Sequence, residues 1–427
     1  MTFDDLLASL RWRDDLHIVN LAKALLLVCR ALEGELRRDL NDSSLSRTFD
    51  AMRQSASTFF RSVDGERLDA DDLARLIAFL EKTREKSDAL TVRATAEALD
   101  QVLGIRFAGS FSGRSSLRLK PRDAFPVHPP TAYELVTKGE RSGSPLLRTP
   151  PLDRLPHLRL APEDMRGIDV EIVWKSAVLA HLTALAPSSK FAVAHPVSEP
   201  SQSFLWRRYE RDGVGLFYGV RPLDLEAHWS KLVALIEEAA DSGVTVLALP
   251  ELCLTDELLD RLRGHAQLER VPLLIAGSRH IEASAPGENE SVFFAHGIEV
   301  GRHQKFRPYE FDDDGDDGAG RIAPAMRRRE DITPRAPLLR LYVSGGWSVV
   351  ILICKDAIDR DIAELLRALQ VQLMVVPSWS DTTDDYFTLA HTLAADPQTV
   401  TLVANLPVPR RHRPLCSAAL FGMLNDA

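Results

Sequence analysis

The sequence predicts an α/β domain in the C-terminal half of the chain, preceded by an all-α helical module. Three observations predict it. The runs Val244-Thr245-Val246-Leu247-Ala248-Leu249 and Val349-Val350-Ile351-Leu352-Ile353 are β-branched and aliphatic without polar alternation, as suits strands covered on both faces. After the second run, Ile358, Ile362, Leu365, Leu366 and Leu369 recur at helical spacing, a strand-then-helix order. The first hundred residues show helical stripes instead.

In that first part, Leu16, Val19, Leu25, Leu26 and Leu32 fall on one broad stripe, and a further helix is expected over 44–63. Asp69 is a good N-cap for a helix carrying Leu73, Leu76, Ile77 and Leu80, while Val92, Leu99, Val102 and Leu103 lead to Gly104, read as a stop. These segments predict a helical bundle over 1–105, a regulatory or interaction module. Nine prolines between Pro121 and Pro162 make 106–162 an extended linker. Residues 163–213 read as a connector packing on the C-terminal domain, with a helix over 167–186 and a strand over 190–195.

The chemistry concentrates at the ends of apolar runs. Glu251 follows Leu249-Pro250, Cys354 follows Ile353, and Lys305 stands in Arg302-His303-Gln304-Lys305-Phe306. Strand ends are where α/β folds deliver reactive groups. A thiol is a poor nucleophile until it loses its proton; a carboxylate can take that proton, and an ammonium can stabilise the thiolate and a developing oxyanion. A helix N-terminus just after Cys354 would favour the thiolate further.

From about residue 214 to 426 the order and context of these segments resemble the nitrilase, or carbon–nitrogen hydrolase, superfamily. The resemblance runs through a first strand at 214–220, a helix at 228–240, Leu249-Pro250-Glu251, Leu274-Ile275-Ala276-Gly277-Ser278, Asn289-Glu290-Ser291-Val292-Phe293-Phe294, the lysine motif, the cysteine, Val375-Val376-Pro377-Ser378-Trp379 and Val403-Ala404-Asn405. It implies a nitrilase-like α-β-β-α sandwich over 214–427, commonly paired into a homo-oligomer. It implies Glu251 as general base, Cys354 as nucleophile and Lys305 as stabiliser of the tetrahedral intermediate, helped by the backbone N–H of Lys355. The substrate implied is a small-molecule amide or nitrile, cleaved through a thioester-type intermediate with no cofactor. A further glutamate is expected soon after the lysine, for which Glu310 is the nearest candidate. Lys355 is a second accessory candidate, because many relatives carry an aromatic residue there. Fewer residues follow Asn405 than the resemblance implies, with 417–422 the only match to a later strand. Two alternatives follow from these departures: an inactive fold used as a binding or assembly platform, and an effector of a bacterial multi-domain, even defence, system that is activated by assembly.

Composition bounds the rest. With 427 residues, 45% of them hydrophobic, the chain can build two cores. A formal charge of −9 argues against a general nucleic-acid surface, and Arg327-Arg328-Arg329 and Arg410-Arg411-His412-Arg413 read as solvated loops. No run is long and apolar enough to span a membrane, no signal peptide is visible, and the four cysteines form no paired framework, which fits a reducing cytoplasm. The acidic run Asp312-Asp313-Asp314-Gly315-Asp316-Asp317-Gly318 misses the calcium-loop register and reads as a solvated loop placed to act as a lid. The histidines lack metal-ligand spacing, so no metal site is expected.

Overall fold

The computed structural model describes residues 1–109, 116–126, 155, 157–173, 189–197, 203–281, 286–313, 326–333, 335–344, 347–369, 371–380, 383–395, 399–406 and 418–421. The chain divides into two compact units, Met1–Asp164 and Met165–Ala427.

In the first unit, α2 (Ile18–Ala31), α3 (Glu33–Asn41), α4 (Ser46–Arg61) and α5 (Ala70–Arg84) surround α6 (Asp88–Gly109), and α1 (Phe3–Arg11) packs on α2 and α5. Helix α6 is central because it is apolar or small nearly all round: Leu90, Val92, Ala94, Ala96, Ala98, Leu99 and Leu103 are all fully buried. Thr2 closes a capping box on α1, and Asp69 accepts the Asp72 N–H at the start of α5. The unit is not purely helical. The short strands β1 (Leu16–His17) and β2 (Arg67–Leu68) pair antiparallel, so Leu16 begins a strand rather than α2.

Two expectations are corrected here. Helix α6 does not stop at Gly104; a Cβ there would lie 2.4 Å from His157 Nδ1, so this glycine serves close packing. The described parts of the expected linker are ordered as well. After β3 (Ser116–Leu119), β4 (Ala124–Pro126) pairs with β5 (Leu158–Leu160), and Ala124, Leu155, Leu158 and Leu160 join the core of the helices. Residues 127–154 lie outside the described set.

The second unit runs β6 (Asp169–Val173), β7 (Phe191–Val193), β8 (Phe204–Arg211), β9 (Val214–Pro222), α7 (Leu225–Asp241), β10 (Val246–Ala248), α8 (Asp256–Arg263), β11 (Leu273–His280), β12 (Asn289–Ala295), β13 (Ile298–Gln304), β14 (Glu310–Asp313), β15 (Met326–Glu330), β16 (Leu338–Ser344), β17 (Trp347–Ile351), α9 (Arg360–Leu369), β18 (Leu373–Ser378), α10 (Asp384–Ala395), β19 (Val400–Asn405) and β20 (Ala418–Phe421). Three sheets result, with strand orders β13-β12-β11-β10-β7, β20-β19-β18-β17-β16-β6 and β14-β15-β9-β8.

The first two sheets share a core. Val246, Ala248, Leu273, Ile275 and Phe293 of one meet Val349, Ile351, Leu373, Val375 and Leu402 of the other. The alternate residues Leu247, Leu249, Leu274, Ala276 and Phe294 turn to the opposite face, against Leu232 and Ile236 of α7 and Leu258 and Leu262 of α8. That period of two is why these runs, apolar at every position, are buried on both faces.

Residues 163–213 are not a connector laid on a finished domain. β6 pairs in parallel with β16 and β7 in parallel with β10, so this segment supplies a strand to each large sheet. Asp169–Val173, expected as part of a helix, has the alternating burial of a strand; residues 174–188 lie outside the described set. The strand at 214–220 pairs with β8 and β15 in the third sheet.

Candidate active site

Strand directions explain why distant residues meet. β10 and β11 are parallel, so Glu251 and His280 emerge at the same edge; β12 is antiparallel to β11 and begins there with Asn289; β13 returns and ends there, followed by Lys305. In the facing sheet β17, β18 and β19 are parallel and bring Cys354, Ser378 and Asn405 to their carboxyl ends. The Glu251 N–H reaches the Ser378 carbonyl at 3.4 Å, and its side chain Oε2 accepts the Trp379 N–H at 3.0 Å, which ties the two edges together. Gly277 lets the turn that carries Glu251 lie close against β11: its φ is +72°, and a Cβ would sit 2.2 Å from the Pro250 carbonyl oxygen.

Lys305 is fully buried, and its Nζ donates to Glu251 Oε1 and Glu330 Oε2 at 2.6 Å each. Asn289 Nδ2 bridges the same two carboxylates, at 3.0 Å to Glu251 and 2.8 Å to Glu330. His280 Nδ1 accepts the Val220 N–H, which leaves Nε2 to carry the proton donated to Glu330 Oε1 at 2.9 Å. Burial alone would neutralise such charges, but they are paired and hydrogen-bonded. Burial opposes the charge on Lys305, yet Glu251, Glu330 and Cys354 hold its pKa well above the ordinary value. Burial would raise Glu330, but Lys305 and His280 more than offset it and keep it well below the usual carboxylate range. For Glu251 burial wins over Lys305, so its affinity for a proton is raised. Of two carboxylates on one lysine, one is held ionised and the other is poised to take a proton.

Cys354 is 1% exposed, with φ at +47°, a left-handed conformation unusual for a residue with a side chain. Its thiol is pushed up to about 11 by burial and by Glu251, against Lys305 and the Tyr386 hydroxyl. Glu251 is close enough for its charge to act on the thiol, and Trp379, whose N–H Glu251 accepts, offers its carbonyl to the same sulfur at 4.0 Å. Tyr386 Oη donates to Cys354 Sγ at 3.3 Å and accepts from Ser378 Oγ at 2.9 Å. Burial and the adjacent sulfur hold this phenol protonated. A one-turn 3₁₀ segment, Cys354–Asp356, separates the cysteine from α9, so the expected helix-dipole contribution is replaced by side-chain donors. Asp356, fully buried, accepts from His303 Nε2 at 3.0 Å and from the Arg307 N–H at 2.8 Å, anchoring the cysteine turn to the lysine turn.

Glu251, Lys305 and Cys354 therefore come together. Glu310 does not join them: it begins β14 and pairs with Arg327 at 2.6 Å on the partly exposed side of the third sheet. The second carboxylate is Glu330, 25 residues after the lysine and last in β15. Lys355 is half-buried, with Nζ 5.4 Å from the centre of the Tyr309 ring. Sequence reasoning missed Glu330, His280 and Tyr386, and quoted Asn289 only as the head of a strand. Arg327, Arg328 and Arg329 lie in β15 rather than in a loop, Asp312 and Asp313 end β14, and 314–318 and 410–413 fall outside the described residues. Among the described residues no cluster of His, Cys, Asp and Glu has metal-binding geometry and no helix is long and apolar enough to cross a membrane.

Two expected outcomes test this reading. Lys305→Met leaves two buried carboxylates without their cation, so unfolding by denaturant should show a loss of about 3–5 kcal/mol, typical of breaking a buried ion pair. Tyr386→Phe removes the donor to sulfur while keeping the ring; kcat/KM should fall roughly tenfold, the equivalent of one hydrogen bond of about 1.4 kcal/mol, with the melting temperature little changed.

Comparison with solved structures finds similarity to amidases of the nitrilase superfamily. One is an amidase from Nesterenkonia sp., at 17% identity and a TM-score of 0.37, covering 55% of this chain and 81% of that one. Another is a mutant of the amidase from Nesterenkonia sp. AN1 showing the result of Michael addition of acrylamide at the active-site cysteine, at 19% identity and a TM-score of 0.36, covering 47% and 81%. A third is a cysteine-to-alanine mutant of Nesterenkonia AN1 amidase from the nitrilase superfamily, at 16% identity and a TM-score of 0.35, covering 54% and 79%. No family model and no curated protein matches the chain.

Proposed function

We propose that this chain is a carbon–nitrogen hydrolase of the nitrilase type acting on a small non-peptide amide, with Cys354 as nucleophile, Glu251 as general base and acid, and Lys305 as the electrostatic stabiliser. The observation that carries the reading is the buried lysine shared by two carboxylates, one of which acts electrostatically on the neighbouring cysteine thiol.

In this mechanism Glu251 takes the Cys354 proton as sulfur attacks the carbonyl carbon. Because thiol and carboxyl both have raised proton affinity in the dry site, the transfer moves a proton between neighbours without creating a net charge. The tetrahedral oxyanion is met by the Lys305 ammonium and the backbone N–H of Lys355. Collapse breaks the C–N bond, and Glu251 returns its proton to the departing nitrogen, leaving a thioester on Cys354. Water then gives a proton to Glu251 and its oxygen to the acyl carbon; a second collapse releases the acid and restores the thiol. Glu330 and His280 act as positioning residues through Lys305. The α-β-β-α sandwich, the helical module as a regulatory unit and a homo-oligomeric assembly belong to the same proposal. The shared core of the two sheets, with α7 and α8 on the outer face of one, supports the first.

The test is ammonia release from a panel of small primary amides, followed by intact-mass and peptide analysis of quenched enzyme. An acyl adduct on the peptide containing Cys354 is expected. Cys29 and Cys253 are fully buried, and burial raises both thiols, Cys29 to about 12, so adducts confined to these two would refute the assignment. Glu251 must be ionised to accept the thiol proton, so the acid limb of kcat/KM should lie above the ordinary glutamate value of about 4.3. A limb at or below that value would exclude Glu251 as the base.

A further inference from the structure

Beside the catalytic groups lies a set of partly exposed aromatic rings: Trp206, Tyr309, Phe311 and Trp379. They are continuous, with Tyr309 stacked on Phe311, Phe311 6.1 Å from Trp206, and Trp206 stacked on Trp379 at 5.5 Å. Both ends are fixed to the two carboxylates that hold Lys305. The Tyr309 N–H donates to Glu330 Oε2 at 3.0 Å, and the Trp379 N–H donates to Glu251 Oε2 at 3.0 Å. Lys355 lies over the Tyr309 end of this wall, one residue beyond the nucleophile.

The two site lysines are in opposite situations. Lys305 already donates to Glu251 and Glu330, so its charge is balanced by two carboxylates of the site itself. Lys355 has no carboxylate within 4 Å among the described residues, and its ammonium lies over the face of Tyr309. A lysine of ordinary surface function extends into water; one kept half-buried against a ring, without a counter-ion, holds an ammonium ready for an anion. An anionic group would otherwise be disfavoured here, because Glu251 and Glu330 outnumber Lys305.

We infer that the substrate is a primary amide of a small aromatic acid bearing a second, ionised carboxyl group: Lys355 receives that carboxylate while the planar body lies on the Trp206–Trp379 wall. This rests on the hydrolase reading above and names the substrate class of that same site. The carboxylate supplies binding energy remote from the C–N bond, which orients the amide toward Cys354.

The test compares 4-carboxyphenylacetamide with phenylacetamide, which differ by the one carboxylate. For the native chain the ratio of kcat/KM should favour the charged amide at least tenfold. Lys355→Gln should collapse the ratio to about one through KM of the charged amide, and Lys355→Arg should restore most of it. A native ratio near one, or a ratio unmoved by Lys355→Gln, overturns the inference; so does a loss carried equally by both amides in kcat, which would make Lys355 a modulator of the thiol. In parallel, binding of the two amides themselves, 4-carboxyphenylacetamide and phenylacetamide, to Cys354→Ala protein is measured by calorimetry, with and without Lys355→Gln. If neither amide releases ammonia but the charged amide binds in a Lys355-dependent way, the hydrolase reading fails and the anion subsite stands. If turnover occurs and the two amides are not distinguished, the subsite fails and the hydrolase reading stands.

Discussion

Cys354→Ala is expected to abolish ammonia release, a fall on the order of 10⁴-fold or more, with the fold intact. The size of the effect follows from chemistry: without sulfur no thioester forms, and residual turnover is limited to what Lys305 and substrate binding provide for direct attack by water. Stability should change little, because the side chain is small and the surrounding hydrogen bonds between Glu251, Lys305, Asn289 and Glu330 do not pass through it. Cys354→Ser separates nucleophilicity from volume and should be nearly as inactive, since a buried hydroxyl is much harder to deprotonate. Glu251→Gln should be comparably inactive, and a double variant with Cys354→Ala no worse than either single change, as for residues that act as a unit. Substantial hydrolysis by pure Cys354→Ala protein would place the reaction elsewhere.

A chain beginning at Gly213 is expected to be insoluble or unfolded. It lacks β6, β7 and β8, one strand from each sheet of the second unit. Removing β7 uncovers the edge of β10, the strand that delivers Glu251; removing β6 uncovers β16. Unpaired edges beside apolar faces favour aggregation. A chain beginning at Met165 keeps all three strands and is the proper comparison, read by light scattering and thermal melting at matched concentration. Equal solubility and melting for the two shortened chains would show that β6 to β8 contribute nothing to the stability of this unit.

What the sequence disclosed and what it withheld have separate physical causes. Glu251 and Cys354 were legible because each follows a run that is apolar at every position, and such runs end at sheet edges. Lys305 was legible from its motif and order. Glu330 was hidden because Glu310, opposite Arg329 on β14, sits closer to the lysine in sequence, while the pairing of β14 with β15 brings Glu330 back to Lys305 in space. Tyr386 was hidden because it reaches sulfur from a helix, where a tyrosine carries no periodic signal. Strands β6 and β7 are five and three residues long, and the first lay in a stretch whose apolar spacing also fits a helix. Gly104 shows the reverse error, a glycine read as punctuation whose missing Cβ makes room for His157.

The antiparallel pairing of β14 and β15 has a consequence for how this site tolerates change. Glu310 faces Arg329 and Asp313 faces Met326, so the chain leaves the site region after Lys305 and is brought back to the same level by the ladder itself. The position of Glu330 is thus independent of how many residues separate the two strands. Insertions or deletions between 314 and 325 are expected to leave the register of β14 on β15, and with it the distance between Lys305 and its second carboxylate, unaltered. This is a place to graft a reporter peptide, with the Glu251–Lys305–Glu330 centre serving as an internal control that the graft has left the framework unmoved.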